Sequence, residues 1–243
     1  MHPKYSARAP LESTGTHMPS GRRYSPTQFS MLPTVIFALL LLNVSLFLAE
    51  QYYGNLLITR LALWPLGATG YASSPAGPVL LPGFHVWQLV TYAFLHGSIA
   101  HIFFNMFALW MFGMQVENAW GSQRFAVYYL VCVVGAGLVQ LLVASLSHGI
   151  YPTIGASGGV FGILLAFGMM FPNQRILLLI PPIPIKAKYF VIGYGLIELF
   201  AGVTGTEAGV AHFAHLGGMA FGFVLIQYWR GKLPLRPRRR MHW

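Results

Sequence analysis

The sequence is organised around the stretch Gly155-Ala156-Ser157-Gly158-Gly159, which leads directly into the apolar run from Val160 to Met170. A serine set among small residues at the start of a long apolar segment suits a nucleophile held just below a membrane surface. Serines in glycine-rich turns are also common without any such chemistry. The rest of the sequence therefore has to separate these two interpretations.

The composition is typical of a membrane protein. The chain has 243 residues, of which 56% are hydrophobic and only 8% are charged, whereas a soluble domain carries about 25% charged residues. Its single cysteine, Cys132, excludes a disulfide framework and a cysteine-based metal site, and is expected to be a small core or lipid-facing residue. This length and composition predict one compact membrane bundle.

Six apolar segments approach the length of about 20 residues that a spanning helix needs. They cover about residues 31–50, 98–116, 125–146, 157–171, 187–203 and 210–229. The fourth segment is short, and it is retained because Ser157 could lie below the membrane surface rather than at it. The predicted fold class is therefore an all-α membrane protein with six transmembrane helices.

The segments outside the spans differ in character. The first connection, about residues 51–97, contains Trp64 and Trp87 and is predicted to be a structured loop lying partly in the membrane interface. Residues 1–30 are polar and basic without apolar periodicity, which predicts a disordered tail, with a transit peptide as the weaker alternative. We therefore divide the chain into this tail, a membrane domain over 31–229 and a basic tail over 230–243.

The basic residues predict the orientation. An even number of spans places both termini on one side, and fourteen of the 15 Lys and Arg residues fall on that side, leaving Arg60 alone on the other. Because basic residues concentrate on the cytoplasmic side, both termini are expected to be cytoplasmic. The net charge of +10 is then explained by orientation in the lipid bilayer, and no nucleic-acid partner is expected.

Three spans place their rare polar residues at the same depth. The second, fourth and sixth spans all run from outside to inside, and their N-terminal ends carry His101 and Asn105, then Ser157, then His212 and His215. A single polar residue within a span often only joins two helices by a hydrogen bond. Their coincidence in depth favours a shared functional site.

Spaced glycines would allow the fourth and sixth spans to pack closely. The pairs Gly155/Gly159, Gly158/Gly162 and Gly218/Gly222 are small-xxx-small patterns, which also occur where helices only pack or dimerise. Such packing would let the His215 imidazole take the proton of the Ser157 hydroxyl as the serine attacks a carbonyl.

The tetrahedral intermediate formed by this attack carries an oxyanion, which needs hydrogen-bond donors. His101 and Asn105 share one helix face, and with the free backbone N–H groups at the start of the fourth span they would provide them.

A third catalytic member cannot be an aspartate, because the chain contains none. Of its five glutamates, Glu198 lies deep in the fifth span, and the others lie at span ends, in loops or in the tail. We therefore predict a Ser157/His215 dyad whose histidine is oriented by packing. Phe161, one turn after the serine, could provide a ring for it to stack on.

Three blocks of sequence carry a family resemblance. His96-Gly-Ser-Ile-Ala-His101-Ile-Phe-Phe-Asn105, Gly155-Ala-Ser157-Gly158 and Ala214-His215-Leu-Gly-Gly218 resemble the three signatures of rhomboid intramembrane serine proteases. The similarity covers roughly residues 31–229. It implies a six-helix rhomboid-like bundle that admits water from the outer side. It also implies that Ser157 is the nucleophile and His215 its base, with support for the oxyanion from His101 and Asn105.

The same resemblance implies cleavage of single-span transmembrane protein substrates near the outer membrane face, without a cofactor or metal. The first loop resembles the family's interfacial loop, and the connection 203–211 resembles its mobile cap. Two positions depart from the pattern. Gln88 rather than arginine follows Trp87, and Phe161 stands where the family often has a stacking tyrosine.

Other interpretations remain open. The serine motif also fits an α/β-hydrolase elbow, which needs a preceding strand and an acid between the serine and the histidine in the sequence. Glu198 or Glu207 could be that acid, but the surrounding segments are spanning helices. His96, His101, His212 and His215 could bind zinc, but no His-Glu-x-x-His motif is present. The alternative from another class is a non-catalytic scaffold or quality-control binder of transmembrane helices. A transporter would have only Glu198 as a spanning acid for a proton relay. The lack of a seventh span and of a clear transit peptide predicts a bacterial inner membrane.

Overall fold

The computed structural model describes residues 29–67, 69–74, 77–147, 150–178, 182–205, 211–235, 237 and 240–241. The predicted N-terminal tail lies almost entirely outside these residues. Residues 206–210 of the predicted cap and much of the end of the C-terminal tail lie outside them as well.

Helices occupy each of the six predicted spans. The first part of the chain forms α1 (Thr34–Leu61), an antiparallel hairpin of β1 (Thr69–Ser74) and β2 (Gly77–Pro82), and the short helix α2 (Gln88–Thr91). Then α3 (Ile99–Ala108) continues through a π-helical turn, Leu109–Gly113, into α4 (Met114–Trp120), and α5 (Ser122–Ser147) and α6 (Ser157–Met170) follow. A second hairpin of β3 (Arg175–Leu177) and β4 (Pro184–Lys186) leads to α7 (Ala187–Thr204) and α8 (His212–Trp229).

Among the described residues, four helical segments are long and apolar enough to cross a membrane. They are Thr34–Leu61, Ile99–Trp120, Ser122–Ser147 and Ala187–Thr204. The apolar α6 has only 14 residues, and α8 has 18 residues but includes two histidines. The chain is therefore a mostly helical, multi-pass integral membrane protein.

The first helix is longer than the sequence predicted. The expected span ended at Glu50, but α1 continues to Leu61 through one residue with non-helical dihedral angles, Tyr53. The helix continues through Glu50 and Gln51, which are good helix formers, and both side chains have hydrogen-bond partners. The Gln51 side chain donates to the Phe47 carbonyl, and the Glu50 carboxylate accepts from the His96 N–H. The region 51–97 thus begins as helix, and the β1/β2 hairpin and α2 form much of the rest.

The core of the bundle lies around α6. Its side chains Ile163, Leu164 and Phe167 are all buried, as is Cys132 from α5, which confirms the core position for that cysteine. In contrast, α1 and α7 expose large apolar side chains: Leu41, Leu48, Leu196 and Phe200. Extended apolar exposure on long helices is typical of contact with lipid.

Helices α6 and α8 approach each other backbone to backbone. A Cβ atom placed on Gly218 would overlap the carbonyl oxygen of Gly158, and one on Gly162 would overlap Cys132 of α5 and lie 3.2 Å from the carbonyl oxygen of Gly218. Gly158, Gly162 and Gly218 therefore lie at real helix contacts, as small-xxx-small patterns do in membranes, whereas Gly155 lies before the start of α6. This approach brings the starts of α6 and α8 together.

A buried carboxylate holds the start of α1. One oxygen of Glu117 accepts from the Val35 N–H at 2.9 Å and from the Ser122 hydroxyl at 2.6 Å. The other oxygen accepts from the Ile36 N–H at 2.8 Å. A charged acceptor at a helix N-terminus also interacts favourably with the helix dipole.

We expect Glu117→Ala to lower the free energy of unfolding by about 2–4 kcal/mol, because it leaves buried donors without acceptors. Denaturation of the purified protein in detergent measures the change. An alanine variant as stable as the wild type would contradict this role for the carboxylate.

Candidate active site

The serine and histidine singled out in the sequence meet in the structure. Ser157 is the first residue of α6 and His215 lies in the first turn of α8. The Nε2 atom of His215 is 2.7 Å from Oγ of Ser157. The contact between Gly158 and Gly218 lies beside these two residues, so the close helix packing positions the pair.

The His215 ring is also stacked. The ring of Phe161 lies 4.3 Å away between centroids, with an interplanar angle of 6°. Phe161 is one helical turn after Ser157, so α6 provides both the hydroxyl at the edge of the imidazole and the ring on its face.

A carboxylate that the predicted dyad does not include lies on the other side of the imidazole. Oε2 of Glu198, on α7, is 2.8 Å from Nδ1 of His215 and 2.7 Å from Nδ1 of His212. The prediction that packing alone orients His215 is therefore wrong. The sequence did contain one signal for this contact. His212 and His215 are three residues apart on the sixth span, and Glu198 lies deep in the fifth.

This arrangement assigns the hydrogens. An ionised carboxylate can only accept hydrogen bonds, so both Nδ1 atoms carry hydrogen. The Nε2 atom of His215 is then the acceptor, and the Ser157 hydroxyl donates to it. A general base needs this tautomer to take the serine proton.

His101 lies close to the serine hydroxyl. Gly155 has a positive φ of 125°, and a Cβ atom built there would lie 2.8 Å from Nε2 of His101 and 3.7 Å from Oγ of Ser157. These two atoms therefore border the same small space. A side chain at position 155 would be strained in its backbone and would press on the His101 ring.

Asn105 lines the same cavity, one turn further along α3. Its Nδ2 donates to the carbonyl of His101 at 2.9 Å, and the second hydrogen of the amide remains for another acceptor. The first backbone N–H groups of α6 have no partners within the helix and lie at the positive end of its dipole. The cavity that Ser157 lines is therefore bordered by both side-chain and backbone donors.

The segment before α6 is fixed by backbone contacts. The N–H of Gly155 donates to the Tyr92 carbonyl at 2.9 Å, and Thr153 exchanges two backbone hydrogen bonds with Leu63. These bonds tie the serine turn to the end of α1 and to the turn before α3.

A cavity of about 910 Å³ extends from the serine along α6. Ser157, His215, His101 and Asn105 line one end of it. The remainder is mostly apolar and lies between α3, α6 and α7, with walls that include Phe104, Met111, Leu164, Tyr194 and Ile176. Its lining is typical of a site that binds an apolar molecule or segment.

His96 contributes a neutral ring beside the site. Its ring lies 4.9 Å from that of His101 between centroids, and among the described residues neither of its nitrogens has a hydrogen-bond partner. Burial, with a smaller contribution from His101, lowers the pKa of His96 to about 4. His96 therefore adds no positive charge beside His101 at neutral pH.

The four histidines considered for zinc do not form one set of ligands. Within the part of the chain that the structure describes, the potential ligand atoms that converge belong to Glu198, His212 and His215, all within 4.8 Å of one another. In the structure these groups bind one another: Nδ1 of His212 and Nδ1 of His215 are both within hydrogen-bond distance of Oε2 of Glu198.

The fold and this geometry define a helical membrane protein with a serine–histidine pair among its helices. The chain matches the Rhomboid domain family over residues 83–231. It therefore belongs to the rhomboid family.

Curated relatives include proteins from yeast, bacteria and mammals. The chain is 31% identical over 162 residues to Rhomboid protein 1, mitochondrial, of Saccharomyces cerevisiae, covering 63% of this chain and 44% of the relative. It is 34% identical over 140 residues to Rhomboid protease GluP of Bacillus subtilis, covering 56% and 25%. It is 30% identical over 178 residues to the human presenilin-associated rhomboid-like protein, mitochondrial, covering 68% and 44%. The alignments thus span less than half the length of each relative.

Proposed function

We propose that this protein is an intramembrane serine endopeptidase that cleaves transmembrane segments of other proteins near the outer membrane face. The observation that supports it most is the 2.7 Å contact between Oγ of Ser157 and Nε2 of His215, at one end of an apolar cavity within a membrane bundle. The similarity to a relative named as a rhomboid protease supports the same activity.

The reaction follows from the placement of the groups. An apolar substrate segment lies in the cavity along α6, with its scissile carbonyl carbon at Oγ of Ser157. The oxygen attacks this carbon while Nε2 of His215 takes the hydroxyl proton, and the oxyanion accepts hydrogen bonds from His101, Asn105 and backbone N–H groups. His215 then donates the proton to the leaving amine, and an activated water hydrolyses the acyl enzyme in the same way.

The proposed arrangement in the membrane has six spans, with α6 and α8 as the shorter or more polar ones. The starts of α3, α6 and α8 face the outer side, and both termini face the cytoplasm, as the basic residues indicate. Two tryptophans of the first loop donate hydrogen bonds to carbonyls near the end of α1, Trp64 to Ile58 and Trp87 to Arg60. These contacts support an interfacial position for that loop. We place the protein in a bacterial inner membrane, although the relatives include mitochondrial proteins.

Labelling with a fluorophosphonate and cleavage of a single-span substrate in proteoliposomes test the proposal together. We expect one covalent adduct, located on Ser157 by mass spectrometry, and cleavage that disappears in proportion to labelling. The base-deficient variant His215→Ala should neither label nor cleave at a measurable rate, because the serine is then not activated.

The non-catalytic alternative predicts a different result. A scaffold or quality-control binder would retain the transmembrane substrate during purification but would neither cleave it nor react with the probe. If folded wild-type protein gave that result, the proposed function would be that of a non-catalytic binder and not that of a protease.

A further inference from the structure

We propose that Glu198 is a positioning residue for the proposed protease, fixed in place by His212, and that it turns the Ser157/His215 dyad into a Ser–His–Glu triad. The inference rests on the proposed function. Its structural basis is a single oxygen of Glu198, Oε2, which lies 2.8 Å from Nδ1 of His215 and 2.7 Å from Nδ1 of His212. The three residues are buried, with exposed fractions of 7% for Glu198, 6% for His212 and 8% for His215.

Stacking alone cannot orient the imidazole for catalysis. A ring lying on Phe161 keeps that contact when it turns over by 180°, which exchanges nitrogen and carbon positions at its edge. Stacking also does not select the tautomer, because it does not depend on which ring nitrogen carries the hydrogen. A carboxylate at Nδ1 removes both freedoms, because it attracts only an N–H group and so leaves Nε2 facing the serine without hydrogen.

The carboxylate also faces the charge that develops during the reaction. When Nε2 takes the serine proton, His215 becomes an imidazolium whose Nδ1–H still donates to Glu198. A negative group at this distance stabilises that cation strongly, because the site lies within a membrane bundle of low dielectric constant. No atom is transferred to the carboxylate, and the proton passes only between Ser157, His215 and the leaving amine.

His212 restrains the carboxylate itself. His212 and His215 are three residues apart on α8, so their Nδ1–H groups lie on one face and converge on one oxygen. Without the second donor, the flexible glutamate side chain could rotate away from His215. Burying a carboxylate in a spanning helix is costly, and here two hydrogen bonds from α8 compensate for it.

The test compares isosteric variants by steady-state cleavage in proteoliposomes, with the active fraction determined by fluorophosphonate titration. Glu198→Gln keeps the size of the side chain but removes its charge, and its amide NH₂ can stabilise the wrong tautomer of His215. We expect kcat to fall on the order of 10²-fold or more with KM changed by less than about threefold. The rate of fluorophosphonate labelling should fall in parallel, since acylation needs the same base.

The chain offers a matched control in Glu117, which is the other buried glutamate in the part of the chain that the structure describes. Glu117→Gln makes the same chemical change at the start of α1, far along the chain from the serine. It should lower thermal stability and leave kcat per labelled enzyme within about twofold.

Two substitutions of His212 provide an independent test if Glu198→Gln does not fold. Asparagine can place a donor where Nδ1 stood, whereas leucine cannot. His212→Asn should therefore retain more activity than His212→Leu, which should lose about tenfold in kcat. Glu198→Asp, which keeps the charge, should recover part of the activity that Glu198→Gln loses.

Three results would overturn the inference. One is a Glu198→Gln enzyme, or a His212→Leu enzyme, with wild-type kcat and reduced stability, which would make the cluster a structural tie between α7 and α8. Another is loss of wild-type activity in a chelator with recovery on adding Zn²⁺, which would make the same residues a metal site. The third is equal loss in Glu117→Gln and Glu198→Gln. Failure of the protease proposal looks different, because cleavage would then persist in Ser157→Ala or be absent from the folded wild-type protein.

Discussion

Ser157→Ala is expected to reduce cleavage of a transmembrane substrate by at least about 10⁴-fold. The substitution removes the only atom that can form the acyl enzyme in the proposed mechanism, whereas the donors around the oxyanion remain. In serine proteases with a Ser–His–acid triad, removal of the nucleophile alone lowers kcat nearly as much as removal of all the triad residues. The residual rate would come from binding and from the oxyanion donors alone.

The fold should tolerate this change. Ser157 is half-buried at the first position of α6, and alanine is a good helix former that adds no volume. We therefore expect the melting temperature to stay within about 2 °C of the wild type. Cleavage that persists in the alanine variant at more than a few per cent would remove the serine mechanism. A variant that is inactive because it is unfolded would be recognised by its melting curve.

The helices were predictable because long apolar runs have few alternatives in a membrane. An apolar run of about 20 residues must satisfy its own backbone hydrogen bonds, so the positions of α3, α5 and α7 followed from composition. The extent of α1 did not follow, because it depends on contacts made far along the chain. The Glu50 carboxylate, for example, accepts from the backbone N–H of His96, 46 residues later, and no local sequence pattern indicates such a bond.

The site was predictable to the extent that its residues lie in local motifs. Ser157 and His215 each come with glycines that allow close helix packing, and Phe161 follows the serine at helical spacing. Glu198 was missed because its role depends on how α7 is rotated about its axis against α8. A sequence period gives the face of a helix but not the neighbour that this face meets. The two histidines, three residues apart, were the only local indication.

Gly218→Ala is expected to disrupt both stability and activity, although it adds only one methyl group. The new Cβ atom would overlap the carbonyl oxygen of Gly158, which belongs to the backbone of α6 and cannot rotate away as a side chain could. The helices must then separate, and the separation acts next to the pair formed by Ser157 and His215. We expect a loss of about 2–4 kcal/mol in the free energy of unfolding. A displacement of about 1 Å between nucleophile and base lowers catalysis on the order of 10²-fold.

Gly193→Ala provides the matched control for this substitution. Gly193 lies within α7, and a Cβ atom there would meet no other atom within 4 Å. Alanine is also the better helix former, so this variant should keep full activity and be at least as stable as the wild type. Denaturation in detergent and the rate of fluorophosphonate labelling compare the two directly. If Gly218→Ala behaved like Gly193→Ala, the backbone contact between α6 and α8 would not be what holds the hydroxyl against the imidazole.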